Sequence, residues 1–346
     1  MQWALIVFLA LAPGLQRSDT AHIATIDFFG TSGIDVQSVR SALPIHEGDE
    51  IVEANFQQIH DRIVQAVHNS VGHNPTDVDV TCCSQHGGWL IYIGLGGSNS
   101  RALKFRPAPA GSSCLTAEGL RLYQDALAAV SKAIQSGHTG EDDSRGFSLS
   151  VDPTAREKQL AMHAYADAHQ RAIEHVLDSC ANGDQREAAA ALLGYASQST
   201  AQIHSLVEAT RDSAEGVRNN AIRALAVLAG SSSNIASQIP AANFIPMLNS
   251  GRWLDRNKAG WLLVCLTRSR NEALLEQLRS EVLPSLVEMA RWKDQGHAEE
   301  YGVLLGRIAR FKEEDINRLL ADGKTEDIIA AASGSHSVRN AQIPQK

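Results

Sequence analysis

Apolar residues recur with two different periods along the chain, and the change of period divides it. Between His22 and Gly97 the pattern is short and mixed. HIATIDFFG predicts a strand ending at Gly30. Asp35 then serves as an N-cap, with Val36, Val39 and Leu43 on one helical face and Pro44 as the stop. HEGD makes a polar turn. Phe56, Ile59, Ile63 and Val67 predict a second amphipathic helix that ends at Gly72. DVDVTC alternates strictly, and WLIYIGL follows the turn at His86-Gly87-Gly88 as its partner strand. Trp89, Ile91, Ile93 and Leu95 fall on one side of that strand. The predicted order is strand, helix, helix, strand, strand: an α+β module over residues 22–97.

From about Thr154 the period becomes helical, and one plan repeats. DSAEGVRNNAIRALAVLAG places Asp212 in a turn, Val217-Arg218 at a helix start, and Ala221, Leu225 and Leu228 on one apolar stripe. SCANGDQREAAAALLGYA gives Arg186, Ala189, Leu193 and Ala196 at the same places. WLDRNKAGWLLVCL gives Arg256, Ala259, Leu263 and Leu266. GHAEEYGVLLGRIA aligns Tyr301, Leu305 and Ile308 but carries no Arg at the matching position. Each copy follows a partner helix, expected near Ala161–Asp178, Thr200–Arg211, Ala241–Asn249 and Leu274–Trp292. A helix pair cannot bury its own apolar face, so stacking of the copies predicts an all-α solenoid over residues 151–332. Residues 98–150 are expected to be a linker with one helix, capped by Thr116 and striped by Leu120, Leu127, Val130 and Ile134. SGHTGEDDSRG after it predicts a solvated loop. Residues 333–346 predict a disordered tail.

The stretch IDFFGTSGIDVQSVRSALPIHEGDEI resembles a POTRA domain: a strand ending in a glycine turn, a short helix, then a Leu-Pro … Glu-Gly-Asp turn into a second helix. That resemblance implies a module working outside the inner membrane that binds other chains by strand addition. No barrel or second anchor follows the module in this sequence. LVEATRDSAEGVRNNAIRALAVLA resembles a HEAT repeat, of the armadillo-like helical class. The resemblance implies that Asp212 and Arg218 belong to a ladder between neighbouring repeats, a structural role shared with the core positions Ala221, Leu225 and Leu228. As an exposed ladder pair they would contribute little to stability.

Trp3 to Ala12 is a ten-residue apolar run, too short to span a bilayer, and residues 1–21 read as a signal peptide cleaved near Ala21. Export to the periplasm or outside the cell follows from it. No later segment is apolar enough to cross a membrane. Composition adds two exclusions. A net charge of -8 argues against a nucleic-acid partner. Five cysteines without a CxxC pair define neither a zinc site nor a disulfide framework, although a bridge between the Cys82-Cys83 pair and Cys114 stays open. Cys265 reads as a small core residue.

Candidate chemistry is sparse. Gly94–Gly97 follows a strand but lacks the third glycine and helix of a dinucleotide loop. Glu141-Asp142-Asp143 does not have the spacing of a calcium loop. His163, His169 and His175 advance by about 240° per step on a helix and cannot converge. No catalytic set, cofactor site or metal site is expected, and a small-molecule substrate is not. The candidate partner surface is RWLDRNKAGWLLVCLTRSR, with Arg252, Trp253, Arg256 and Lys258 as anchors for an acidic protein. The expected function is that of an exported, non-enzymatic interaction or scaffold protein. The alternative is an accessory subunit that holds a catalytic partner or its substrate.

Overall fold

A computed structural model of the chain describes residues 20–334, apart from 83, 85 and 86. The expected leader, but for Thr20 and Ala21, and the expected tail from residue 335 onward lie outside the described residues. β1 (Thr20–Phe29) runs to Gly30, whose positive φ of 65° makes the turn that Gly was expected to make. Asp35 caps α1 (Val36–Ala42) by accepting from the Gln37 and Ser38 amides. β2 (Glu50–Val52) then pairs antiparallel with β1. The sequence reading had no strand here, because three residues after a Gly-Asp turn carry no period. α2 (Phe56–Val71) stops at Gly72, which adopts φ 85°. β3 (Asp77–Cys82) and β4 (Trp89–Gly94) form an antiparallel pair, and β4 lies parallel to β1. The sheet order is β2-β1-β4-β3.

Alternation gives this sheet two apolar faces. Ile26, Phe28, Ile91 and Ile93 pack with Val39, Ile63 and Val67 of α1 and α2. Phe29, Leu90 and Tyr92 point the other way and join the core of the helical body. The α+β module is therefore covered on both faces, with β2 and β3 as its edge strands.

Thr116 caps α3 (Ala117–Gln135) by accepting from the Gly119 amide. The stretch expected to be a solvated loop contains a hairpin, β5 (Glu141–Asp142) with β6 (Leu149–Ser150), and places Glu141 against Arg223. α3 packs on α4 (Pro153–Ser179) and α5 (Gly183–Leu193), so residues 98–150 belong to the body and are not a spacer. α6 (Thr200–Ala209), α7 (Glu215–Ser231) and the short α8 (Ser233–Ala236) follow. Two 3-10 turns, Ala241–Asn243 and Ile245–Asn249, stand where a partner helix was expected. Pro246 explains the difference: it offers no N–H to an α-helical bond and pushes Ile245 away from helical backbone. α9 (Trp253–Leu266), α10 (Glu272–Met289), α11 (Gln295–Ile308), α12 (Glu313–Ala321) and α13 (Thr325–Gly334) complete the body. α13 carries helix through the first two residues of the expected tail.

Helices α5, α7, α9 and α11 stack in that order as one layer. α4, α6, the 3-10 turns and α10 back them as the second layer. Ala221, Leu225 and Leu228 are fully buried between them, as the stripe predicts.

Candidate functional site

An arginine near the start of α5, α7 and α9 bonds back to the preceding turn and forward to the next unit. Arg186 donates from Nη1 to the Cys180 carbonyl at 2.8 Å and pairs with Asp212 through Nε and Nη2 at 2.9 and 2.7 Å. Arg218 donates to the Asp212 carbonyl at 3.0 Å and pairs with Asp255 at 2.8 and 3.2 Å. Arg256 donates to the Ser250 carbonyl at 2.6 Å and to Glu288 at 3.1 Å. Burial opposes ionisation of Asp212, but its bonds from Arg186 and the Ala214 amide outweigh that and hold its pKa below the usual carboxylate value. Asp212 and Arg218 thus occupy a ladder, with a correction: the side chains are 0% and 2% exposed, so it is a buried one.

The reason for the burial is a strap. Residues 101–111 run in extended form across the turns, bridging Arg101 to Ser250, Arg106 to Asp212 and Gly111 to Cys180. The strap thereby crosses the third, second and first units in reverse order. Cys114 closes it onto the first unit through a disulfide to Cys180, 66 residues away. The bridge considered from sequence, between Cys114 and the Cys82-Cys83 pair, is not formed.

The proposed anchors do not share an open face. Arg252 is exposed, but Trp253, Arg256 and Lys258 are 0%, 0% and 3% exposed. Trp253 stacks on Tyr92 of the sheet with ring centroids 4.6 Å apart. Arg256 is enclosed by Glu288, the Asn99 carbonyl and the Phe29 ring. Lys258 lies 5.8 Å from the Trp261 ring, and burial followed by the neighbouring Arg223 pushes its amine below the usual lysine value. Trp253 and Arg256, part of a charge pattern that reads as a solvated helix face, are instead covered by the sheet and Asn99. The histidines do not converge either. His163 stacks on Phe147 and His169 meets Tyr165 edge-on, and among the described residues no metal-binding group occurs.

A cleft of about 240 Å³ opens where α3, α4 and the β5–β6 hairpin face α5 and α7. α7 presents Gly216, Asn220, Arg223 and Val227 to it, an i, i+4, i+7, i+11 stripe opposite the ladder face. α5 presents Glu187, the residue after the ladder arginine, and α3 presents Tyr123. Tyr123 donates its hydroxyl to Glu187 at 3.1 Å. Burial raises the Glu187 pKa, although the Tyr123 bond opposes it. Glu215, at the start of α7, is raised by burial and then by Asp77 and Asp255. On the far wall Arg223 donates to Glu141 at 2.7 Å. An apolar floor with Ala126, Val130 and Met162 completes it.

No protein-family model matches the chain, and no curated protein matches it. Among solved structures the chain is similar to the crystal structure of an engineered protein, at 18% identity and a TM-score of 0.35, over 53% of this chain and 92% of that one. A likeness that slight assigns no fold.

Sequence reasoning did not assemble the cleft: of its lining it named only Leu127 and Val130, as a helix stripe, and Glu141, in an expected loop. Glu187, Glu215 and Asn219 look like ordinary polar positions on amphipathic helices. Glu187 and Asn219 each directly follow a ladder arginine and Glu215 precedes one by three residues, but nothing local says that α3 and the hairpin cover them.

Proposed function

We propose that the protein is an exported, non-enzymatic interaction or scaffold protein of the cell envelope, in which stacked helix pairs hold a fixed cleft for a partner protein. The observation that carries this reading is the cleft itself, framed on one side by the ladder-bearing helices α5 and α7 and roofed by α3. Stacked helical units provide such surfaces without a deep reaction pocket. The ordered ladder supports a HEAT-like array, and the mixed sheet with β1 parallel to β4 and β3 antiparallel to β4 supports a POTRA-like module. The Cys114–Cys180 bridge supports an oxidising compartment, where such bonds persist.

A photocrosslinker placed at Asn220 in the cleft and, as a control, at the exposed Glu276 of α10 tests the proposal in cells. One defined protein adduct from position 220, absent from position 276, is the expected result. Equal adducts from both positions would overturn the cleft as the partner site. Co-purification with one stoichiometric enzyme would assign the accessory-subunit role.

A further inference from the structure

Resting on the proposal that a partner engages this cleft, we infer that the cleft receives one cationic, donor-rich side chain on an apolar stem, the chemistry of arginine or lysine, between Glu187 and Glu215. The inventory of hydrogen-bonding groups points in one direction. On the far wall only Nη2 of Arg223 is held, by Glu141 and Ser148, but the donors on the Glu187 side are all engaged: Tyr123 to Glu187, Asn219 Nδ2 to Asn220 Oδ1, and Asn220 Nδ2 to the Glu187 carbonyl. The acceptors are not. Among the described residues no hydrogen bond reaches Glu187 Oε2 or the Glu215 carboxylate. Asn219 Oδ1 is buried without a partner, and its amide cannot be turned round without losing the bond to Asn220. A buried acceptor left unsatisfied is costly, so the group that completes this site is a donor.

Charge selects among donors. Arg223 and Glu141 offset each other, which leaves Glu187 and Glu215 on the cleft wall without an ion-pair partner among the described residues. Asp77 and Asp255 add to the field at Glu215, against Arg252 and Arg218. An anion is repelled and a neutral donor gains little, whereas a guanidinium or ammonium group gains charge-assisted bonds. Ala126, Leu127, Val130 and Val227 line the approach and suit a methylene stem. Size agrees, since about 240 Å³ is below the roughly 300–1,000 Å³ of sites for drug-sized ligands. Gly216 is part of the construction: a Cβ there would collide with the Glu187 carboxylate.

Calorimetric titration of the full oxidised chain tests this with three probes: n-pentylguanidinium, its neutral isostere n-pentylurea, and a blocked peptide with one arginine between apolar residues. The peptide and the guanidinium should bind and the urea should not. Glu187→Gln and Glu215→Gln should each weaken binding roughly ten- to a hundredfold, the range of a bond to a charged group. Gly216→Ala, which keeps both charges and suits a helix, should weaken binding by displacing Glu187. Circular dichroism melts confirm that each variant is folded. Guanidinium binding without peptide binding would keep the cation site and overturn the partner reading of the cleft. Equal binding of the urea, or no binding of either cation, would overturn the inference and leave the scaffold proposal to its crosslinking test.

Discussion

The guanidinium of Arg218 lies over the ring of Phe105, its central carbon 3.8 Å from the ring centroid, while its nitrogens hold Asp255. One side chain thus joins the second helical unit to the third and to the strap that crosses both. An exposed pair of this kind is worth about 0–1 kcal/mol. This one is buried, and removing the arginine leaves Asp255 without its counter-charge.

Arg218→Ala is therefore expected to destabilise by about 3–5 kcal/mol, the range for breaking one side of a buried pair. Leu225→Ala, at 0% exposure in the same helix, should cost roughly 2–5 kcal/mol. Urea melts of both variants check the comparison. A loss below about 1 kcal/mol for the arginine alone, the range of an exposed pair, would mean that the strap does not cover the ladder in solution.

Reduction of Cys114–Cys180 should loosen the strap. A loop of 66 residues corresponds to about 4 kcal/mol of chain entropy in the unfolded state. Cys114→Ser should lower the melting temperature by several degrees and reduce its response to reductant, Cys82 being held in a separate disulfide. Hydrogen exchange localises the effect: the Arg106 amide, bonded to the Arg211 carbonyl, and the Ala181 amide, bonded to Gly111, should lose protection first. Unchanged exchange at both amides would show that the bridge is not what holds the strap.

Legibility in the sequence followed range. Asp35, Thr116 and Gly72 were readable because a cap or a left-handed stop acts within a few residues. The Arg186, Arg218 and Arg256 register was readable because it repeats. The roof over Arg256 was not, since Asn99 lies 157 residues from it and Phe29 further still. β2 and the 3-10 turns were lost for the opposite reason: they are too short to show a period. The cleft combines both problems, because its walls come from five helices and a hairpin whose strands are two residues long.

The sheet and the helices should unfold together. The Tyr92 hydroxyl of β4 is hydrogen-bonded to His297 Nδ1 at 2.6 Å and its ring stacks on Trp253, while Trp292 Nε1 donates to the Phe28 carbonyl at 2.9 Å. Burial, followed by the charge of Lys258, holds the His297 pKa down to about 3, so its ring is neutral where it meets Tyr92. Tyr92→Phe is expected to cost about 1–3 kcal/mol by leaving the buried His297 ring without this partner. Tyr92→Ala should cost about 3–5 kcal/mol, as for other large aromatic truncations. Scanning calorimetry should show a single transition shifted as a whole in each variant. A second transition confined to the module would mean that the two regions fold independently.

Asp27, beside that junction, gives stability a pH dependence of definite sign. It accepts from the Lys293 amide at 2.9 Å, and burial raises its pKa to about 6 against the pull of Lys293 and Arg40. Below the ordinary value of 3.8 both folded and unfolded chains hold the proton, and nothing is lost. Between there and about 6 the unfolded chain ionises while the folded one resists, so the Asp27 contribution falls as pH rises. Above that range both states are ionised and the contribution stays constant. The carboxamide introduced by Asp27→Asn would remain neutral throughout and can still accept from the Lys293 amide. That variant should accordingly match the parent chain near pH 4 and exceed it by on the order of 2–3 kcal/mol at pH 7. The measurement is a series of urea melts of both chains from about pH 4 to 8, spanning the window between the two pKa values. A gap that is constant with pH would show that the Asp27 carboxyl ionises in the folded protein as freely as in the unfolded chain.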